Sequence, residues 1–338
     1  MRVPRHSLGD RNFKQMIGIE LTPEHPISRI AELGEHAEAN GFDTVFSSSH
    51  YNNRDPFVAL DRIAGRTESV RIGPGIVNPY ETHPVTLASR VASLDEASGG
   101  RAVFGVGAGD PSTLRNLGFE HDRPLRRVLE TFKIAQDLFA GERVDHDGTF
   151  EATDAGLNFE PPSETIPVYV GAQGPHMIRM AAKHADGVLL NGSHPRDFAW
   201  AAEQVEAGLS ERPDERGPFD FAAYASVSVA TESEAAREAA RPPVAFIAAG
   251  AAPPVLDRHS IDHGRAERIG EHISAGDFED AFGAVTEEMI DAFCIAGTPE
   301  TIGGRIDGVL EYADSFVAGS PLGPDLDEAV RLAGSALR

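Results

Sequence analysis

The chain has 338 residues, enough for one large α/β domain or two ordinary ones. Its 41% hydrophobic content can bury a sizeable core, but acidic residues outnumber basic ones 53 to 30, giving a formal net charge of −23. Nucleic acid and anionic membranes are poor partners for such a surface, and the scarcity of lysine (Lys14, Lys133 and Lys183 among the 30 basic residues) points to adaptation to molar salt, where screening over a few Å tolerates dense negative charge.

In chain order, short apolar runs alternate with helical patterns, which predicts repeated βα units and a parallel sheet. "MIGIE" (16–20) is a first strand, "SRIAELGEHAEANG" (28–41) an amphipathic helix stopped by Gly41, and "FDTVFSS" (42–48) a second strand. "DPFVALDRIAGRT" is a helix and "VRIGPGIV" a third strand, broken by Gly73, Pro74 and Gly75 before Ile76 and Val77 resume the apolar pattern. Glycine inside a strand marks a bulge or a close approach, and proline removes a ladder donor. "HPVTLASRVASLDEASGG" is a helix, "RAVFGVGAGD" the fourth strand and "LRRVLETFKIAQDLFAG" its helix, after which "ERVDHDGTFEATDAGLNF" reads as a hairpin turning at "DHDG". "IPVYVGA" (166–172) is the fifth strand, followed by the helix "GPHMIRMAAKHA"; "DGVLLNGS" (186–193) is the sixth strand and "FDFAAYASVSVA" (219–230) the seventh. A long, mostly helical insertion over about 231–312 precedes the eighth strand "DSFVAGSP" (314–321) and the closing helix "DLDEAVRLAGSAL".

Eight strands with interleaved helices predict a (β/α)8 TIM barrel, one domain over 16–338 behind an extension of residues 1–15. The alternative is a doubly wound sheet. "GVGAGD" evokes a dinucleotide loop but lacks the full G-x-G-x-x-G pattern and its ribose-binding acid. Cys294, the single cysteine, excludes an intrachain disulfide and a cysteine-based zinc site; in "AFCIAG" it reads as a small buried hydrophobe. No apolar run reaches the length of a membrane span, and the N-terminal stretch has no signal-peptide core, so a cytoplasmic protein is expected.

Active sites of such barrels stand at the C-terminal ends of the strands. Those ends carry Glu20, the run Ser49 to Asn53 with His50, then Gly75, Ile76 and Asn78, Asp110, Gln173-Gly174-Pro175, Asn191 and Ser320. Singly, each has a structural reading: a barrel-mouth carboxylate for Glu20, a backbone-satisfied ring for His50, a helix start for Asp110 before Pro111. Gathered at one mouth, they read as a site. The helix after "GAQGP" offers backbone N–H groups behind a glycine-rich turn, an anion cradle. "DHDG" is a solvated hairpin turn, because adjacent residues cannot all converge on one ion, and no metal is expected.

"GIELTPEHPI", "SHYNNRD", "GPGIVNPY", "GAGD", "VYVGAQGP", "VAFIAAGAAPPV" and "FVAGSPLGPD" together resemble the coenzyme F420-dependent methylenetetrahydromethanopterin reductases of the bacterial luciferase-like superfamily, in one register from about Met16 onward. The resemblance implies a cis peptide at Gly75–Ile76 backing the deazaflavin ring, with "SHYNN" lining its pocket and His50 near the ring. It gives Gly171, Ala172, Gln173 and Gly174 cofactor contacts, and with Ser49, Asn78 and Asn191 these complete the expected cofactor-binding set. Glu20 matches the family's catalytic carboxylate and Asp110 the acid of its "GPGD" motif, here "GAGD". The family has an aspartate before the histidine; here Ser49 offers a short hydroxyl that still donates or accepts one hydrogen bond. Residues 1–15 precede the family's usual start and are either a mobile arm or a mis-called start. A homodimer or homotetramer is also implied.

The implied reaction is reduction of a 5,10-methylene-tetrahydropterin, of methanopterin or folate type, to the 5-methyl form. A methylene bridge between two nitrogens accepts hydride poorly. Protonating the arylamine nitrogen opens it to an iminium, which accepts hydride readily, so the site needs a proton donor beside the hydride donor. An apolar barrel mouth disfavours a charged carboxyl, and Glu20 is the general acid of this reading; Asp110 orients it or holds the pterin ring. The alternatives are a flavin or deazaflavin oxidoreductase with another substrate, the same pterin reduction with another electron donor, and a cofactor-binding homologue without catalysis.

Overall fold

The computed structural model describes residues 15–337. The extension of residues 1–15 therefore lies, but for Gln15, outside the described residues. Eight parallel strands form the barrel: β1 Ile17–Glu20, β2 Thr44–Ser47, β3 Arg71–Pro74, β4 Phe104–Gly107, β5 Val168–Ala172, β6 Gly187–Asn191, β7 Asp220–Val229 and β8 Ser315–Leu322. They pair in the order β3-β2-β1-β8-β7-β6-β5-β4. The circle closes through bridges Ile72–Ala102 and Val77–Val106 between the chain at β3 and β4. That closure rules out the doubly wound alternative.

The seam between β3 and β4 is made by backbone. The Val103 amide donates to the Ile72 carbonyl (2.8 Å), the Val77 amide to Gly105 (3.1 Å) and the Gly107 amide to Val77 (3.0 Å). Glycine is required here: a Cβ on Gly73 would stand 2.1 Å from the Val103 carbonyl oxygen, and one on Gly105 2.0 Å from that of Pro74. The third strand ends earlier than its apolar run predicts, at Pro74, because the chain turns through a cis peptide at Gly75–Ile76.

Met16, Phe46, Val103, Tyr169, Leu189, Ala222 and Val317 fill the barrel interior, and Ile76 and Tyr224 lie over them partly exposed. The larger core lies outside the strands, where each helix buries one stripe; helix Ile27–Ala39 buries Ile30, Ala31, Leu33, Gly34 and Ala37. Pro56, Pro84, Pro175 and Pro299 each open a helix, where the missing N–H costs no bond. One helix, Pro195–Leu209, goes unanticipated: polar Gln204 interrupts its buried face and is satisfied by Arg179 (2.6 Å). The "DHDG" hairpin forms as expected, with Val144–Asp147 antiparallel to Glu151–Ala155.

The segment between β7 and β8 carries helices Ser233–Gly250, Pro253–His259, His263–Ala275, Phe278–Gly283 and Glu287–Phe293 around their own apolar cluster, which includes Val244, Ile269, Ile290 and Cys294. Burial pushes the Cys294 thiol up to about 12, which keeps it protonated and inert. This segment is not helical throughout: strand Ile295–Gly297 pairs in parallel with Val227–Val229. Asp197, on the barrel helix, accepts from Arg258 (2.6 Å) and His259 (3.0 Å) and so ties the insertion to the barrel. Among the described residues no helix is long and apolar enough to cross a membrane.

Asp220 is fully buried inside the barrel and accepts from the Tyr169 hydroxyl (2.7 Å). Desolvation raises its carboxyl to about 6 despite hydrogen bonds from Tyr169 and Ser315. The folded state therefore holds this proton more tightly than the unfolded chain, so the contribution to stability is full below the unfolded value and is lost as pH rises toward 6. Asp220→Asn removes that loss. Its stability relative to the unsubstituted protein should improve by about 1 kcal/mol or more between about pH 5 and pH 8 in denaturant titrations. A pH-independent difference would refute this.

Candidate active site

Glu20 ends β1 and is 8% exposed. Its Oε1 accepts from the Thr22 hydroxyl (2.9 Å) and its Oε2 from the Ser320 amide (3.3 Å). The Thr22 and Ser320 hydroxyls are in turn 2.7 Å apart. Tyr224, inward-facing on β7, lies near this carboxyl and the cis peptide: its hydroxyl donates to the Gly75 carbonyl (3.2 Å), and the Glu20 charge acts on its phenol. Desolvation first, then the Glu20 charge, push the Tyr224 phenol well above its ordinary value, so it stays protonated and acts as a donor.

Two glycines let these groups meet. A Cβ on Gly75 would stand 2.8 Å from Cβ of Phe46 and 3.0 Å from the Tyr224 hydroxyl; one on Gly319 would stand 3.3 Å from Oε2 of Glu20. Ile76 lies across the bare backbone of Gly107 and Gly171, within 3.2 Å of where a Cβ would start on either. Ile76 and Tyr224 thus form the floor of the mouth, apolar on one side and hydroxylic on the other.

Asp110 is exposed and caps the short helix Pro111–Asn116, accepting from the Thr113 amide (2.8 Å) and the Ser112 hydroxyl. Desolvation raises its carboxyl, but these hydrogen bonds outweigh it and the net direction is down. Asp110 is therefore held as a carboxylate, suited to accepting hydrogen bonds and unsuited to delivering a proton. Asn78 is buried in a turn, donating to Glu81 (2.5 Å) and accepting from the Tyr80 and Glu81 amides. Ser49, His50 and Asn78 line a cleft of about 270 Å³ with Arg54 and Arg90. That cleft brings together neither Glu20 nor Asp110 nor the residues after β5. Gln173 and Gly174 are exposed at the end of β5, and helix Pro175–His184 starts at Gly174 with no side-chain cap, leaving its first amides open. Asn191 is exposed at the end of β6.

Sequence reasoning singled out Glu20 and Ser320 but missed Tyr224. The available signal was parity: Asp220, Ala222 and Tyr224 share one face of β7, and Tyr224 is the large polar residue on it.

The family model described as "luciferase-like monooxygenase" matches residues 13–318. The chain is 41% identical over 326 residues to the 5,10-methylenetetrahydromethanopterin reductase of Archaeoglobus fulgidus, covering 95% of this chain and 98% of that one. The solved coenzyme F420-dependent tetrahydromethanopterin reductase of Methanopyrus kandleri superposes with a TM-score of 0.91 at 37% identity, over 96% of this chain and 98% of that one. An F420-dependent secondary alcohol dehydrogenase shares the fold, at TM-score 0.78 and 19% identity over 96% of this chain and all of that one. The chain belongs to the luciferase-like monooxygenase family and, within it, to the branch that holds these methylenetetrahydromethanopterin reductases.

Proposed function

We propose that this protein reduces 5,10-methylenetetrahydromethanopterin to the 5-methyl form with coenzyme F420. The observation that carries this reading is the near full-length identity with reductases of that name. The residues present fit the cofactor: Ile76 and Tyr224 make a floor for a flat ring, and the uncapped helix start at Gly174 suits an anionic tail. Ser49, His50, Gly75, Ile76, Asn78 and Asn191 would hold the ring side, and Gly171, Ala172, Gln173 and Gly174 the tail. Reduced F420, when bound, supplies a hydride.

The chain's own residues supply the rest. Glu20, held at Oε2 by the Ser320 amide, delivers the proton that opens the methylene bridge. Tyr224 ties β7 to the Gly75 carbonyl beside this carboxyl and keeps the floor of the site in place. Asp110, as a carboxylate, accepts from N–H groups of the pterin ring. The deciding assay supplies reduced F420, nicotinamide and flavin separately, with methylene derivatives of methanopterin and of folate, and follows methyl product. Turnover with reduced F420 and the methanopterin derivative is expected. Turnover with nicotinamide or flavin and none with F420 would overturn the cofactor assignment.

A cytoplasmic location, assembly as a homodimer or homotetramer, a single barrel domain and adaptation to high salt belong to the same proposal. The −23 charge repels itself over a longer range as salt is diluted. The melting temperature and activity should therefore fall steeply between molar KCl and about 50 mM, where the Debye length roughly quadruples. Unchanged values at the lower salt would exclude the adaptation.

A further inference from the structure

We infer that Thr22 and Ser320 form a hydroxyl relay that reloads the proton of Glu20 from solvent after each turnover. This rests on the reading of Glu20 as the proton donor. Once Glu20 has given up its proton it must regain one, yet its side chain is nearly closed off, at 8% exposure. Thr22 and Ser320 are each partly exposed.

The direction of the chain follows from chemistry alone. An ionised carboxylate only accepts, so the Thr22 hydroxyl spends its proton on Oε1 of Glu20 (2.9 Å). Its oxygen is then left to accept, so across the 2.7 Å contact Ser320 must donate to Thr22. The Ser320 oxygen keeps lone pairs for an incoming proton. All donors thus point toward Glu20. The Ser320 amide, on Oε2, holds the carboxyl in register with the chain at 3.3 Å.

The transfer balances. Glu20 gives one proton to the substrate nitrogen and becomes a carboxylate. The Thr22 O–H bond then breaks as the Glu20 O–H bond forms, the Ser320 proton moves to Thr22, and a solvent proton moves to Ser320. Both hydroxyls end neutral, and one proton has crossed from solvent to Glu20. No oxidant or reductant enters this step.

The relay separates two rates. A single turnover of enzyme loaded with reduced F420 needs no reloading of Glu20, whereas steady-state turnover does. For Thr22→Val the steady-state rate should fall about 10-fold or more, within the range of proton-transfer effects, while the first turnover slows far less. Thr22→Ser, which keeps the hydroxyl, should restore the steady state. Ser320→Ala should repeat the Thr22→Val pattern. A role confined to orienting Glu20 would slow both rates together; that result, or a steady-state rate within 2-fold of the unsubstituted enzyme in both variants, overturns the relay. Glu20→Gln keeps the two readings apart. If it abolishes the first turnover while Thr22→Val and Ser320→Ala leave the steady state intact, the relay fails and the donor stands. If it keeps the first turnover, both fail.

Discussion

Glu20→Gln is expected to lower turnover at least about 100-fold, the usual range for loss of a general acid. Glutamine keeps the shape of the side chain and one oxygen for the Thr22 hydroxyl, but it has no proton to release. Its NH2 group would face the Ser320 amide, a donor against a donor, where Oε2 now accepts at 3.3 Å. That mismatch costs about 1 kcal/mol or more of stability, a fraction of the roughly 5–15 kcal/mol ordinary for a folded protein. Cofactor affinity, measured by titration of the deazaflavin absorbance or fluorescence, should change little, because none of the groups assigned to the ring and tail is itself altered. The loss should appear equally in kcat and kcat/KM, the signature of an interaction made in the transition state. A variant that keeps half its turnover refutes the assignment.

The largest expected effect on stability is at Gly105. An alanine there places its Cβ 2.0 Å from the Pro74 carbonyl oxygen, and both atoms belong to strand backbone. No side chain can swing aside, so β3 and β4 must separate and give up bonds such as Val77 to Gly105 (3.1 Å) and Gly107 to Val77 (3.0 Å). Losses of about 4 kcal/mol or more come from such mechanisms, and a chain of this size would melt roughly 6 °C lower. Gly304→Ala is the control. It lies within helix Pro299–Leu310 with nothing inside 4 Å of the added carbon, and should be neutral or slightly stabilising. A Gly105→Ala protein melting within about 1 °C of the unsubstituted one would refute the seam argument.

Much of the architecture was legible because alternation and helical period mark βα units, and strand ends locate the mouth of a barrel. Glu20 was legible for that reason, as the last residue of "IGIE". The break at Gly73-Pro74-Gly75 was legible because it contradicts a strand. The assignments to Thr22 and Tyr224 were not. Thr22 acquires its meaning from Ser320, 298 residues away, and Tyr224 from the Gly75 carbonyl, 149 residues away. Local pattern cannot encode such distances; only closure of the barrel brings them together. Asp110 was legible as a carboxylate at the mouth, but whether it holds a proton depends on the Ser112 and Thr113 donors that the helix start aims at it.

The seam also bears on how ligand and fold depend on each other. The seam that joins β3 to β4 is also the place where the third strand turns into the floor of the mouth, between the Ile72–Ala102 and Val77–Val106 bridges. A molecule resting on Ile76 presses on a residue flanked by the closing bonds, so it acts as a rivet in the hoop. By linkage, whatever binds only the closed ring raises its stability by RT ln(1 + [L]/Kd), about 2.7 kcal/mol at a hundredfold excess over Kd. A ligand seated on Ile76 should therefore stiffen this joint along with the fold as a whole.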